Sequence, residues 1–203
     1  MPRLLSSMLA TYKKLLSQHT LKVQSIQTAI LMGAGDVIAQ SVVERTQKDY
    51  DIYRTLRFTL LGSAIGPSLY VWYSLLDRII GKNLASTVNF SLIKLEKPLI
   101  KVAIDQGIFA PIFLALFVST TSLLEGKGVD DLKNRLKDDY PDILLANYKV
   151  WPGVQIVNFS IIPLQFRVLF LQIIALAWNT YLAWRLNLIK PELRSTIESN
   201  TNF

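Results

Sequence analysis

The chain has 203 residues, 51% of them hydrophobic and only 18% charged, with a formal net charge of +7. Soluble domains carry nearer a quarter charged residues, so this composition argues against an ordinary soluble domain. The lack of cysteine excludes disulfides, thiolate chemistry and cysteine-ligated metal. The single histidine, His19, leaves little scope for a metal site or for histidine acid–base catalysis.

The excess of positive charge would on its own suit nucleic acid. Here Lys and Arg lie mostly between apolar blocks and no basic–aromatic patch forms, so lipid headgroups are the expected contact and direct nucleic-acid binding is not. Residues 1–20 contain Arg3, Lys13 and Lys14 and no acid, with Leu4, Leu5, Met8, Leu9, Tyr12, Leu15 and Leu16 at helical spacing. This pattern predicts a basic amphipathic helix, of the mitochondrial-targeting kind or lying on a bilayer surface.

A first apolar segment runs from Leu21 to Val43, with Asp36 inside it and Ala29 and Gly33 at the spacing that lets helices approach closely. The second, Phe58–Leu76, has no charge and holds the GxxxG pair Gly62 and Gly66; Trp72 and Tyr73 suit an interfacial belt. After a basic connection from Asp77 to Lys101, the third segment, Val102–Leu124, carries Asp105 and Gln106 at its start and Pro111 as an expected kink. Residues 126–142 are the one clearly polar stretch, and Val129, Leu132 and Leu136 suggest a short surface helix.

The fourth and fifth segments span about Ile143–Pro163 and Arg167–Leu188. Between Trp151 and Trp184 the only formal charge is Arg167, so the turn is expected at Pro163–Arg167, with the guanidinium reaching the headgroups. A bilayer crossing takes about 20 apolar residues. The chain is therefore predicted to be an all-α membrane protein, a polytopic bundle of four to five transmembrane helices over residues 21–188. The amphipathic helix precedes it and a polar tail, 189–203, follows. Hydropathy alone gives four crossings and length favours five; Lys/Arg counts on the two sides are nearly equal and set no orientation.

Intramembrane charges are costly, on the order of 3 kcal/mol at mid-bilayer on insertion scales, and normally face the bundle interior or water. Asp36, Asp105 and Arg167 are therefore candidate pore or charge-pair residues, with Arg57 expected to partner Asp36 and Arg167 to partner Asp105. Helix-locking ion pairs are the alternative role. Asn158 and Asn179 either line a pathway or hydrogen-bond between helices. Gly33-x-Gly35-Asp36 matches a tetrapeptide of intramembrane aspartyl proteases, whose chemistry needs a second aspartate at the same depth. Asp105 would lie roughly 18 Å away along the membrane normal, so a hydrolase is the least favoured reading.

Several residues together resemble a known family. They are Lys22-Val23-Gln24, Gly33-Ala34-Gly35-Asp36 with Gln40, Val43-Glu44-Arg45, Arg54-Thr55, Gly66-Pro67, Trp72-Tyr73, Leu76-Asp77-Arg78, and Asp105-Gln106 with Ala110-Pro111. The carboxy-terminal set is Asp139-Tyr140-Pro141-Asp142, Asn147-Tyr148, Trp151-Pro152, Gln155, Asn158-Phe159, Pro163-Leu164, Arg167 and Trp178-Asn179 with Tyr181-Leu182. The chain resembles the Mpv17/PMP22 family of mitochondrial and peroxisomal membrane proteins, departing from it at Thr20-Leu21, where the family commonly shows Pro-Trp. The resemblance implies a channel-like protein of the mitochondrial inner membrane, with a peroxisomal membrane as the alternative. It also implies a part in mitochondrial homeostasis, nucleotide supply and mitochondrial DNA maintenance. The expected partners are the lipid bilayer, small ions or metabolites, and a homo-oligomer or membrane complex; no cofactor and no enzymatic activity are expected. A non-conducting structural subunit of a membrane complex is the rival function.

Overall fold

The computed structural model describes residues 2–43, 50–83 and 93–178, and these are helical throughout apart from short breaks. In chain order the helices are α1 (Pro2–Gln18), α2 (Thr20–Ile38), α3 (Ile52–Asn83), α4 (Ile93–Ile104), α5 (Ala110–Leu124), α6 (Val129–Asp138) and α7 (Tyr140–Ser160). The helix α8 follows over Leu164–Trp178. Wider π-helical turns extend α2 at Ala39–Val43 and join α4 to α5 at Asp105–Phe109. The tail 189–203 and the carboxy-terminal part of the fifth predicted segment lie outside the described residues.

Two compact units are formed. One comprises Met1–Leu69 with the described residues from Val168 onward, the other Tyr70–Arg167, and α3 contributes its first half to one and its second half to the other. In the first unit, α2 and α3 approach through glycine. A Cβ on Gly62 would stand 2.7 Å from the Thr28 carbonyl oxygen, and one on Gly66 would run into the Gln24 carbonyl oxygen. Only a residue without a side chain lets the two backbones come that near. Ser25 Oγ reinforces the contact by donating to the Ser63 carbonyl at 2.7 Å.

In the second unit α7 packs on α4, α5 and α6. The π turn at Asp105–Phe109 explains part of this packing. Ala110 N–H donates to the Asp105 carbonyl, five residues back. The next such bond would come from Pro111, which has no N–H. The carbonyl of Gln106 is thereby freed, and Tyr148 Oη on α7 donates to it at 3.0 Å. Tyr140 Oη, at the start of α7, likewise donates to the Pro111 carbonyl at 3.0 Å. The helix turns wide here without ending.

The outer surfaces are apolar. On α3 Leu56, Leu60, Val71, Leu75 and Ile79 are exposed, and on the helix through α5 Ile108, Ile112, Leu116 and Leu123 are. Among the described residues one helix, Glu96–Leu124, is by itself long and apolar enough to cross a membrane, and only 17% of its most apolar window is buried. A core helix of a soluble protein would be covered; this one is bare, which suits lipid. The other apolar segments form α2, α3, α7 and α8, but they carry inward polar groups, as α7 does with Gln155 and Asn158, or are described only in part.

The turn near Pro163 differs from expectation. Helix α7 stops at Ser160 and α8 starts at Leu164, so Arg167 stands inside a helix, 6% exposed. Its Nε donates to the Ile162 carbonyl at 3.1 Å, satisfying the loose end of α7.

Candidate functional site: two buried polar clusters

In the first unit the cluster forms around Asp36, 5% exposed near the end of α2. Arg54 Nε lies 2.7 Å from its Oδ1. Thr55 Oγ1 and Gln40 Nε2 donate to its Oδ2 at 2.6 and 2.7 Å. Gln40, in the π turn, also accepts from Asp51 N–H through its Oε1 at 2.7 Å. Asp51 in turn caps α3, its Oδ1 accepting from Arg54 N–H at 3.0 Å. The expected Asp36–Arg57 pair is not the one formed. Arg57 Nη2 sits 3.3 Å from Asp51 Oδ2 instead. Three residues past Arg54 on the helix, it faces the cap, while Arg54 and Thr55 in the first turn face α2.

The second unit holds a longer polar network. Asp105 is 2% exposed, and Trp72 Nε1 donates to its Oδ1 at 2.8 Å. Gln106 Nε2 and Gln155 Nε2 donate to Oδ2 at 2.8 and 3.0 Å. The Gln155 amide also reaches Tyr73 Oη at 3.1 Å, and Asn158 Nδ2 donates to Gln155 Oε1 at 2.9 Å. Asn147 Nδ2 on α7 extends the chain by donating to Gln106 Oε1 at 3.1 Å. Asn158 is fully buried, and among the described residues its Oδ1 has no hydrogen-bond partner.

The Asp105–Arg167 pair expected from the sequence is not formed. Arg167 Nη1 lies 2.8 Å from Asp77 Oδ1, and Lys101 Nζ lies 2.6 Å from that same oxygen. Lys101 precedes Asp105 by one helical turn, roughly 6 Å along the axis, so cations and carboxylate occupy successive levels. Arg167 also stands over the ring of Phe159, 5.2 Å from its centroid. Asp77, Lys101 and Gln155 were not assigned a role by sequence reasoning, and Trp72, read there as an interfacial anchor, turns its indole N–H to the Asp105 carboxylate. The available signal was that Asp77 and Lys101 each flank an apolar segment, the one closing the second and the other opening the third. Asn179 lies outside the described residues.

Asp77 lies just beyond the second apolar segment. Burial opposes its ionisation, but hydrogen bonds from Arg167 and Lys101, with their charges, outweigh this and hold the carboxyl below its usual range. A depressed folded value means that the stabilisation is fully present above the ordinary aspartate pKa, about 3.9, and is lost as pH falls through the folded value. Asp77→Asn should therefore unfold more easily than the wild type in a detergent titration near neutral pH. The gap should close as the pH drops below about 4. A gap of constant size across that range would contradict the assignment.

Apolar faces turned outward and interlocked polar side chains turned inward define a helical membrane protein. The model of the Mpv17 / PMP22 family matches residues 122–183. The chain is 40% identical over 181 residues to the mitochondrial inner membrane protein Mpv17 of Xenopus laevis, spanning 87% of this chain and 95% of the relative. It is 39% identical over 176 residues to the Mpv17 protein of Mus musculus, with 86% and 94% covered. To protein sym-1 of Neurospora crassa it is 39% identical over 179 residues, with 87% and 98% covered. No solved structure matches. The chain belongs to the Mpv17/PMP22 family and is a protein of the mitochondrial inner membrane.

Proposed function

We propose that this protein is a multi-pass, channel-like protein that conducts small ions or metabolites across the inner mitochondrial membrane, and that it is not an enzyme. The crossings are four to five, with α2, the Phe58–Leu76 part of α3, the helix through α4 and α5, α7 and α8 as the spans. One observation carries the reading: the buried column Gln106–Asp105–Gln155–Asn158, entered from the half-buried Asn147, in helices whose outer faces are apolar, and ending at Asn158 Oδ1, which has no partner among the described residues. A buried amide oxygen without a donor is where water or a passing solute would complete the network. Polar residues at membrane depth face the bundle interior or a water-filled cavity, and this column is placed to do so. Nucleotide supply and mitochondrial DNA maintenance are the physiological side of this proposal.

Purified protein in planar bilayers tests it. Unitary current steps are expected. Under a salt gradient the reversal potential of Asp105→Asn should shift toward anions and that of Arg167→Gln toward cations, with helicity and insertion verified in each. Intact conductance with neither shift would remove these charges from the pathway. Silence at verified insertion would instead give the scaffold reading, which the closed Asp36–Arg54 pair favours as a device that locks helices together.

A further inference from the structure

We propose that Lys101 and Arg167 form a binding site for a small phosphate-type oxyanion, and that Asp77 occupies this site as its internal stand-in. The proposal assigns a solute class to the conducting path above, and for transport it rests on that reading. Two cations share one oxygen: Lys101 Nζ at 2.6 Å and Arg167 Nη1 at 2.8 Å from Asp77 Oδ1. Both cations are buried, 9% and 6% exposed, whereas the Asp77 side chain is 28% exposed. The acid therefore stands at the open side and the bases behind it.

The charges in contact do not balance. Asp77 supplies one negative charge to two positive ones. Asp105, the next carboxylate along the helix, is held by the neutral donors Trp72, Gln106 and Gln155 and touches neither cation. A second positive charge so far from water is costly unless an anion meets it. Arg167 commits Nε to the Ile162 carbonyl and Nη1 to Asp77, and among the described residues no acceptor bonds its Nη2. An exposed acid in front of two inward donors is placed for exchange, one anion for another. The dianion of phosphate supplies the second charge and enough oxygens to engage the guanidinium fork and the ammonium together, which a carboxylate or a halide does not.

The test uses the full chain in uncharged detergent micelles, where no conduction is required, so its failure and the failure of the channel reading are separate results. Inorganic phosphate is expected to raise the thermal unfolding midpoint above that in chloride at matched ionic strength. Asp77→Asn, which removes the internal competitor, should show the same protection at about tenfold lower phosphate. Lys101→Gln leaves Asp77 and Arg167 balanced and should abolish the phosphate-specific shift. Doping the micelles with phosphatidic acid, against phosphatidylglycerol as control, asks whether the phosphate comes from a lipid. Protection by phosphatidic acid alone assigns the site to a phosphomonoester headgroup, and protection by inorganic phosphate assigns it to a soluble ligand. No phosphate effect from either source in the wild type and Asp77→Asn overturns the proposal. Should Asp77→Asn fail to fold, an undiminished phosphate shift in Lys101→Gln overturns it equally.

Discussion

Replacing Gly66 by valine is expected to unfold a large fraction of the protein. A Cβ there would run into the Gln24 carbonyl oxygen and stand 2.5 Å from Thr28 Oγ1 and 2.8 Å from the Gln24 carbonyl carbon. The hydroxyl can rotate away. The backbone atoms cannot move without shifting α2, which Ser25 also ties to α3. Ordinary overpacking costs about 1–3 kcal/mol, and a clash with backbone should exceed it. Gly153, on α7, is the matched control, since a Cβ there meets nothing within 4 Å. Gly153→Ala should be neutral or gain up to about 1 kcal/mol from helix propensity. Denaturant titrations of both variants in mild detergent decide the matter. Equal stability of Gly66→Val and Gly153→Ala would mean that the close α2–α3 approach is wrong.

The second large effect is expected at Asp105. Its carboxylate accepts from Trp72, Gln106 and Gln155, and Asp105→Ala orphans all of these donors at once. Each buried donor left unpaired costs about 1–3 kcal/mol. Gln155 Nε2 keeps its bond to Tyr73 Oη, so part of this is recovered. Removing a buried charge also returns some desolvation energy. The balance still favours a net loss of about 3 kcal/mol, because several donors are stranded by one truncation. Trp72→Phe isolates a single arm of the network. It keeps a ring that can stack on Phe109 and gives up one hydrogen bond, for about 1 kcal/mol. The losses of unfolding free energy in the two variants should differ roughly threefold. If Asp105→Ala is no worse than Trp72→Phe, Asp105 is not the hub described.

Much of the fold is legible in the sequence because it rests on local composition. The apolar segments announce their helices, the GxxxG pair marks the α2–α3 contact, and Val129, Leu132 and Leu136 mark α6. The count of crossings is not legible in the same way. Helices with inward polar residues read as less apolar than their outer faces are, and only Glu96–Leu124 stands out unaided.

The buried charges were legible one by one but not in pairs. Depth counting along each segment placed Arg167 level with Asp105, and it meets Asp77 instead. The reasons are that α8 begins earlier than Pro163–Arg167 suggests and that α3 continues past Leu76, carrying Asp77 on ordered helix. Arg54 was preferred to Arg57 by a cap at Asp51 that fixes where α3 starts. The partners of Asp105 come from a helical register that no composition rule displays, since the π turn is a property of hydrogen bonding and not of residue type.

That π turn has a consequence for how the chain tolerates change in length. Asp105–Phe109 accommodates one residue more than a regular turn. Losing any one of these residues would let the helix from Glu96 to Leu124 close into ordinary α geometry, with no loss of helicity or hydropathy. The wide turn takes up its extra residue within a single turn, so the helix on either side would keep nearly the faces it has now. A residue lost from the regular turns of Ile93–Ile104 or Ala110–Leu124 would instead rotate everything beyond it by about 100°. Gly107 and Ile108, which hold none of the buried bonds described above, are therefore where this helix can shorten by one residue without being rewired.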